Sequence, residues 1–315
     1  MFTLKCIRNL LIFICVIMMI FIPQYDVFGN QKEMKIHYID VGQGDSVLIE
    51  TPKGKRILMD AGRPKQGKHV LTYLKKRNID SLDLVIATHP DIDHIGGLIT
   101  VLNNIKVHKI IDSGKTYETD TYKKYLNMIK KKNINYNKVE REAEINIDSL
   151  LQIDVLNATK QKAVENNEAS IAIKLQYNDF VLLFMGDVGI EQEKQMMKQY
   201  DIEADILKVG HHGSKTSTSE SFIEAVQPQV AVLTYGKENS YGHPVRSVLH
   251  HLWRMDVNIF STAVYGDITI RTDGSGYYLF TEKDPLDHLI EETASILYLK
   301  HRELFVSYFC NCTIT

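Results

Sequence analysis

"LDLVIATHPDIDHIGG", residues 82 to 97, sets the apolar run Leu84 to Ala87 directly before two histidines and two aspartates crowded into six positions. A short apolar run bounded by polar turns reads as a buried strand, so the donors emerge in a loop at its carboxyl end. In α/β sheets that edge is where ligand sites are built. His89 and Asp91 can face one side of such a loop, and Asp93 and His94 another, which lets six residues feed two adjacent metal positions. Gly96 and Gly97 then allow a helix N-terminus to approach a bound anion. The competing structural reading makes Asp91 and Asp93 helix-capping residues and His89 a hydrogen-bonded core histidine.

Outward from this loop, short β-branched runs alternate with turns. "MKIHYIDV", "DSVLIET" and "KRILMDAG" read as strands joined by "GQG" and "PKG". A helix is expected over 67–78, another from about Ile95 to Asn104, then the strand "VHKIIDSG", a helix over 119–132 and a polar extended region to 148. The second half repeats the style with "LLQIDVLNA", "ASIAIKLQY" and "FVLLFMGDV", the helix "GIEQEKQMMKQY" and the strand "ADILKVG". A helix over 219–226, the strand "QVAVLTYG", a helix over 245–254 and two short strands finish near Phe280. Two groups of strands with helices outside them predict an α/β, four-layer αββα sandwich in a single domain over 30–283.

The chain of 315 residues is 44% apolar, enough for a sizeable core. Its formal charge of -2, from 37 basic and 39 acidic residues, gives no general field for nucleic acid or anionic membrane. Lys5 and Arg8 precede the apolar run Leu10 to Ile22, which suits a secretory signal cleaved after Gly29, so 1–29 reads as a signal peptide or an uncleaved membrane anchor. That places the protein outside the cell or on the outer membrane face. Of the four cysteines, Cys6 and Cys15 lie in this segment and Cys310 and Cys312 in a helix-like tail, 284–315. A body without cysteine excludes thiol catalysis and cysteine–zinc modules.

Further donors stand at other strand ends. Asp187 follows "FVLLFMG", where an unpaired charge would be costly and a carboxylate could bridge two cations; capping of the following helix is the alternative. His211 and His212 follow "LKVG", and on an extended segment only one of them would enter the site. Gly213, Ser214, Lys215 and the hydroxyls after them could hold a phosphate. His243 is held between Gly242 and Pro244.

In order and rough spacing, "HYIDVGQGDSVLIET", "LMDAG", "THPDIDHIGG", "FMGD", "LKVGHHGSKTSTS" and "YGHP" resemble the metallo-β-lactamase superfamily, most of all the soluble hydrolase domain of ComEC-type competence proteins. The resemblance spans about Lys35 to Phe280 and implies a hydrolytic centre with one or two zinc or manganese ions. It puts the metal loop on His89, Asp91, Asp93 and His94, the bridging carboxylate on Asp187 and the last metal histidine on His243. His212, or else His211, is then left as acid, base or phosphate contact, and Asp93 orients the attacking water.

Two departures matter. Asp91 stands where the superfamily commonly has a second histidine, and between His94 and Asp187 the one histidine is His108, too early for the mid-chain ligand. Asn167 or Ser170 of "NNEASIAI" would supply a weak oxygen donor instead, which shifts preference from zinc toward manganese. The expected activity is hydrolysis of a phosphodiester, with DNA first. A phosphocholine or teichoic-acid ester of the cell wall, and a non-catalytic binder on the same fold, are the alternatives. Contact with a membrane is expected only through an uncleaved N-terminal segment.

Overall fold

A computed structural model of the protein describes residues 32–159 and 165–284. The readings placed on 1–29 and on the tail after 284 lie outside the described residues. The first half runs β1 (Met34–Tyr38), β2 (Val47–Glu50), β3 (Arg56–Met59), α1 (Gly67–Lys76), β4 (Ser81–Leu82), β5 (Leu84–Ala87), α2 (Ile92–Ile95), α3 (Leu98–Asn104), β6 (Lys106–Val107), β7 (Lys109–Asp112), α4 (Asp120–Lys131) and β8 (Asn135–Lys138). The second half continues with β9 (Gln152–Asn157), β10 (Ala172–Tyr177), β11 (Phe180–Phe184), α5 (Ile190–Gln199), β12 (Ile206–Lys208), α6 (Glu220–Val226), β13 (Val230–Leu233) and α7 (Arg246–Arg254). It closes with β14 (Asn258–Ser261), α8 (Thr262–Tyr265), β15 (Ile268–Thr272) and β16 (Tyr277–Thr281). Among the described residues no helix is long and apolar enough to cross a membrane.

Side-chain alternation explains why the strands read as continuous apolar runs. In β3 and β5, Ile57, Met59, Leu84 and Ile86 face one core while Leu58, Val85 and Ala87 face another. Both faces of the sheet are therefore buried, as parallel strands covered by helices require. The first core also takes Ile173, Leu175, Leu182, Phe184 and Val232 from the other sheet, so it lies between the two sheets. Helices α1, α3 and α4 cover the outer face of the first sheet through Val70, Leu74, Leu98, Val101, Tyr125 and Ile129. Met196, Phe222, Val248 and Leu252 from α5, α6 and α7 cover the second. The result is the expected four-layer sandwich. Each fully buried Leu, Ile or Val adds about 1.5–3 kcal/mol of transfer free energy to it.

The sheets have strand orders β16-β15-β1-β2-β3-β5-β7-β8 and β14-β13-β12-β11-β10-β9. Strands β3, β5, β7 and β8 are mutually parallel, as are β11 to β14. At the C-terminal end the structure departs from expectation: three strands form rather than two. β14 joins the second sheet, whereas β15 and β16 return to the first, with Ile270 opposite Ile36. The alternation of "ITIRT" drives this return, because Ile268 and Ile270 enter the inter-sheet core.

The helix expected from Ile95 also differs. It breaks at Gly96–Gly97 into α2 and α3. The break lets Gly97 lie against Ala61 just after β3: a Cβ on Gly97 would fall 1.9 Å from the Ala61 carbonyl oxygen. This contact clamps the donor loop to the end of the neighbouring strand. Gly97→Ala is expected to lower unfolding stability by about 2–4 kcal/mol, whereas Gly276→Ala should stay within about 0.5 kcal/mol of wild type. Gly276 has open space where its Cβ would stand. Urea titration of both variants checks the difference.

Candidate metal centre

The carboxyl ends of parallel strands meet at one rim. β3 is followed by Asp60, β5 by His89 to His94, β11 by Asp187, β12 by His211 and His212, and β13 by Thr234. β10 runs antiparallel to β11, so the segment before it, Asn166 to Ser170, reaches the same rim.

Asp187 is the hub of this group. Its Oδ2 lies 3.3 Å from His94 Nε2, 3.6 Å from His212 Nε2, and 3.8 Å from the Nε2 atoms of His89 and His211. His89, His94 and His212 are buried, and none of their Nε2 atoms has a hydrogen-bond partner among the described residues. The opposite ring nitrogens are all engaged. His94 Nδ1 lies 2.8 Å from Asp60 Oδ2, His212 Nδ1 2.7 Å from the Thr234 carbonyl, and His89 Nδ1 3.1 Å from Thr88 Oγ1. Thr88 Oγ1 in turn donates to Asp60 Oδ2 at 2.6 Å, which leaves its lone pair for the His89 N–H. In the neutral tautomer with the proton on Nδ1, the three rings aim Nε2 lone pairs at one carboxylate. Metal-binding histidines are held in this way by outer partners.

Donors around one ion, at bond lengths of about 2.0–2.2 Å, stand about 3–3.5 Å apart. The His94–Asp187 spacing of 3.3 Å falls in that range, and the spacings of 3.6 to 3.8 Å to the other three rings lie a few tenths of an ångström beyond it. His89, His94 and Asp187 form one group of donors within 4.8 Å of one another, and Asp93, His94 and His212 form a second. Asp91 Oδ2 adds a carboxylate 3.7 Å from His89 Nε2. These residues fit a divalent cation, or two adjacent ones bridged by the Asp187 carboxylate, with His94 Nε2 serving one of them.

The capping reading of the donor loop is not what the side chains do. Asp91 occupies the N-cap of α2, yet its side chain caps nothing and instead accepts a hydrogen bond from Asn166 Nδ2 at 2.8 Å. Asp187 likewise does not cap α5, whose N-cap is Gly189.

The structure rearranges the later histidines. His211 and His212 sit in a left-handed turn, with φ of 44° and 55°, rather than on an extended segment. Both rings therefore reach Asp187, His212 buried and His211 partly open to solvent. No metal-type donor group among the described residues includes His243, whose ring instead meets His211 at 5.4 Å and Tyr241 at 5.7 Å. His212 thus lies within the buried donor cluster, in the place expected for His243, and His243 stands toward the mouth. Asn167 contacts the His211 ring at 3.2 Å, and Ser170 Oγ accepts from the Asp187 amide at 3.2 Å, so the mid-chain segment supports the donors.

The phosphate seat expected after His212 is partly taken by the protein itself. Thr218 and Ser219 turn their backbone N–H groups to the buried carboxylate of Glu193, which also accepts from Ser219 Oγ. Ser217 Oγ donates to the Gly210 carbonyl, and Ser214 Oγ accepts from the Thr216 amide. Gly213 is buried, and its carbonyl accepts from Val245. Lys215 is exposed.

Several supports went unread in the sequence, Asp60, Thr88, Asp45 and Lys208 among them. Lys208 is wholly buried and pairs with Asp45 at 2.9 Å; Asp45 Oδ1 also lies 3.4 Å from His212 Nδ1 and accepts from Thr234 Oγ1. A lysine inside the apolar run "DILKVG" demands such a partner. Burial would raise the pKa of Asp45, but the Lys208 ammonium and His212 hold it well below the usual carboxylate range. Burial acts the same way on Asp187, which His94 and His212 hold far down. Against the effect of burial, Asp187 and Asp60 in turn lift His94, and Asp187 and Asp45 lift His212, above the ordinary imidazole value. The buried carboxylates thus favour positive charge beside them, a proton on these rings or a metal ion in its place.

Two outcomes follow. Asp45→Asn leaves a buried ammonium unpaired and is expected to cost about 3–5 kcal/mol, most of which Asp45→Asn/Lys208→Met restores. Because the folded-state pKa of Asp45 is depressed, its contribution is full above about pH 4 and is lost as pH falls further. Urea midpoints between pH 7 and pH 3 should therefore fall more steeply for wild type than for the double variant. Asp60→Asn should weaken zinc binding by about 10–100-fold while the fold persists, measured by competition with a chromophoric chelator.

The metallo-beta-lactamase superfamily model matches residues 39–237. ComE operon protein 3 of Bacillus subtilis is 32% identical over 276 residues, which cover 82% of this chain and 35% of that protein. Recombination protein 2 of Haemophilus influenzae is 28% identical over 246 residues, covering 76% of this chain and 29% of that protein. The chain thus spans about a third of the length of these relatives. Among solved structures, CmlA, a diiron beta-hydroxylase from Streptomyces venezuelae, superposes with a TM-score of 0.52 at 10% identity, over 78% of this chain and 55% of that one, a likeness of fold alone. The matched segment covers more than half of the sequence and carries every donor around Asp187, and so the chain belongs to the metallo-beta-lactamase superfamily.

Proposed function

We propose that this chain, in a superfamily whose members are generally metal-dependent hydrolases, is a phosphodiesterase that cleaves a DNA strand outside the cell or at the outer membrane face. The observation that carries the reading is the convergence of three unpartnered, buried Nε2 atoms on the buried carboxylate of Asp187. A divalent ion, when bound, acidifies water from a pKa near 16 to about 7 and so supplies the attacking group at neutral pH. His89, His94, His212 and Asp187 would hold it, with Asp91 and Asp93 completing the set. Three carboxylates among the donors favour manganese beside zinc.

Asp93 reaches the solvent side of the centre and can accept a hydrogen bond from the attacking water. Burial lowers the pKa of His211 and keeps the ring neutral near pH 7, with Nδ1 3.1 Å from Thr216 Oγ1. It is placed to hydrogen-bond a phosphoryl or leaving oxygen. DNA is preferred to a cell-wall ester because of the competence-related and recombination names of the similar proteins, and the basic-then-apolar start of the sequence supports the location. Purified protein is expected to carry zinc or manganese and to hydrolyse bis-p-nitrophenyl phosphate. Asp93→Ala and His94→Ala should each lower kcat by on the order of 10^3-fold. A metal-free protein without turnover in added zinc or manganese would point instead to a binding protein on this fold.

A further inference from the structure

Two side chains that the centre does not use meet across its mouth. Arg63 follows β3 of the first sheet, Tyr241 lies in the loop after β13 of the second, and Arg63 Nη2 donates to Tyr241 Oη at 2.9 Å. The same nitrogen lies 3.8 Å from Asp93 Oδ2, which places the guanidinium beside the centre. Its Nε–H is buried and has no hydrogen-bond partner among the described residues. Tyr241 is 56% exposed, although its loop is well tied. Asn239 Oδ1 accepts from the Tyr241 and His243 amides at 3.2 and 3.0 Å, and Asn239 Nδ2 donates to the Gly236 carbonyl at 2.8 Å. The tyrosine ring stacks on His243, which meets His211 edge-on, so an aromatic track leads from solvent to Asp187.

We infer that Arg63 and Tyr241 form the subsite for the nucleotide beside the scissile phosphate, Arg63 holding a phosphate oxygen and the outer face of Tyr241 stacking an unpaired base. The inference rests on the phosphodiesterase reading and narrows it to single-stranded nucleic acid. The Arg63 side chain is 34% exposed with Nη2 committed to Tyr241, and its exposed N–H groups match an oxyanion arriving at the centre. An exposed ring on a tied loop loses little conformational freedom when a base covers it, and stacking tolerates any base. With a formal charge of -2 there is no broad basic field to hold a polyanion, so a strand must be gripped locally. Bases paired inside a duplex are stacked on their neighbours and do not reach a ring at the mouth without being flipped out.

The test uses the manganese-loaded full chain and two labelled strands of equal length that resist cleavage, a phosphorothioate oligothymidylate and its abasic counterpart, read by fluorescence anisotropy. Wild type is expected to bind the base-bearing strand roughly tenfold more tightly. Tyr241→Leu should erase that preference, Tyr241→Phe should keep it because the ring remains, and Arg63→Gln should weaken both strands alike. Equal binding of the two strands by wild type, no binding of either, or an undiminished preference in Tyr241→Leu overturns the subsite. Hydrolysis of bis-p-nitrophenyl phosphate separates this from the broader reading. Turnover without a base preference removes the subsite alone, and a Tyr241-dependent preference without turnover removes the phosphodiesterase reading alone.

Discussion

The rim is organised by one buried carboxylate facing several imidazoles. Asp187 is wrapped in protein, where an isolated charge would be expelled or neutralised. The rings of His89, His94 and His212 have their Nδ1 atoms bound to Thr88, Asp60 and Thr234, which leaves Nε2 of each for Asp187 or an ion beside it. In the neutral rings the Nε2 lone pairs point at negative charge, an arrangement relieved by a proton on Nε2 or by a metal cation between the rings and Asp187.

The rest of the fold can be understood as what this arrangement needs. Two sheets whose parallel strands end on the same side bring loops from distant parts of the chain to one rim, and the inter-sheet core fixes their relative height. Beneath the centre, the Lys208–Asp45 pair supplies a fixed charge within a wholly buried environment and holds the His212 side of the nest. Such a pair contributes little net stability compared with apolar packing, and its breakage is costly, which suits a role in fixing geometry. Glu193 does similar work on the far side of the His211–His212 turn by satisfying the N–H groups of Thr218 and Ser219. The segment that looks like an anion cradle in the sequence is thereby closed on itself.

Membership of the superfamily accounts for the scaffold and for the donor types, but this chain modifies the usual set. Asp91 stands in the donor loop, and Asn166, Asn167 and Ser170 occupy the mid-chain position as hydrogen-bonding supports for Asp91, His211 and Asp187. The Arg63–Tyr241 bridge adds a joint between the two sheets at the entrance.

Much of this was legible from residue order alone. Runs such as "LDLVIATH" and "FVLLFMGD" announce strands buried on both faces that end in charged donors, and a charge at the end of such a run needs a reason, so His89, Asp91, Asp93, His94 and Asp187 stand out. The alternation of apolar runs with helical segments likewise yields the layered architecture. What the linear pattern does not carry is the direction of a ring. Whether His212 or His243 faces Asp187 depends on a left-handed turn at His211–His212 and on the parallel pairing of β11 with β12. The orientation of His94 depends on Asp60, which comes from a neighbouring strand, and the partner of Lys208 lies far upstream at Asp45. Strand and donor propensities are local and can be read along the chain. The aim of an imidazole is set by the partner of its other nitrogen, and that partner arrives only when the sheets have packed.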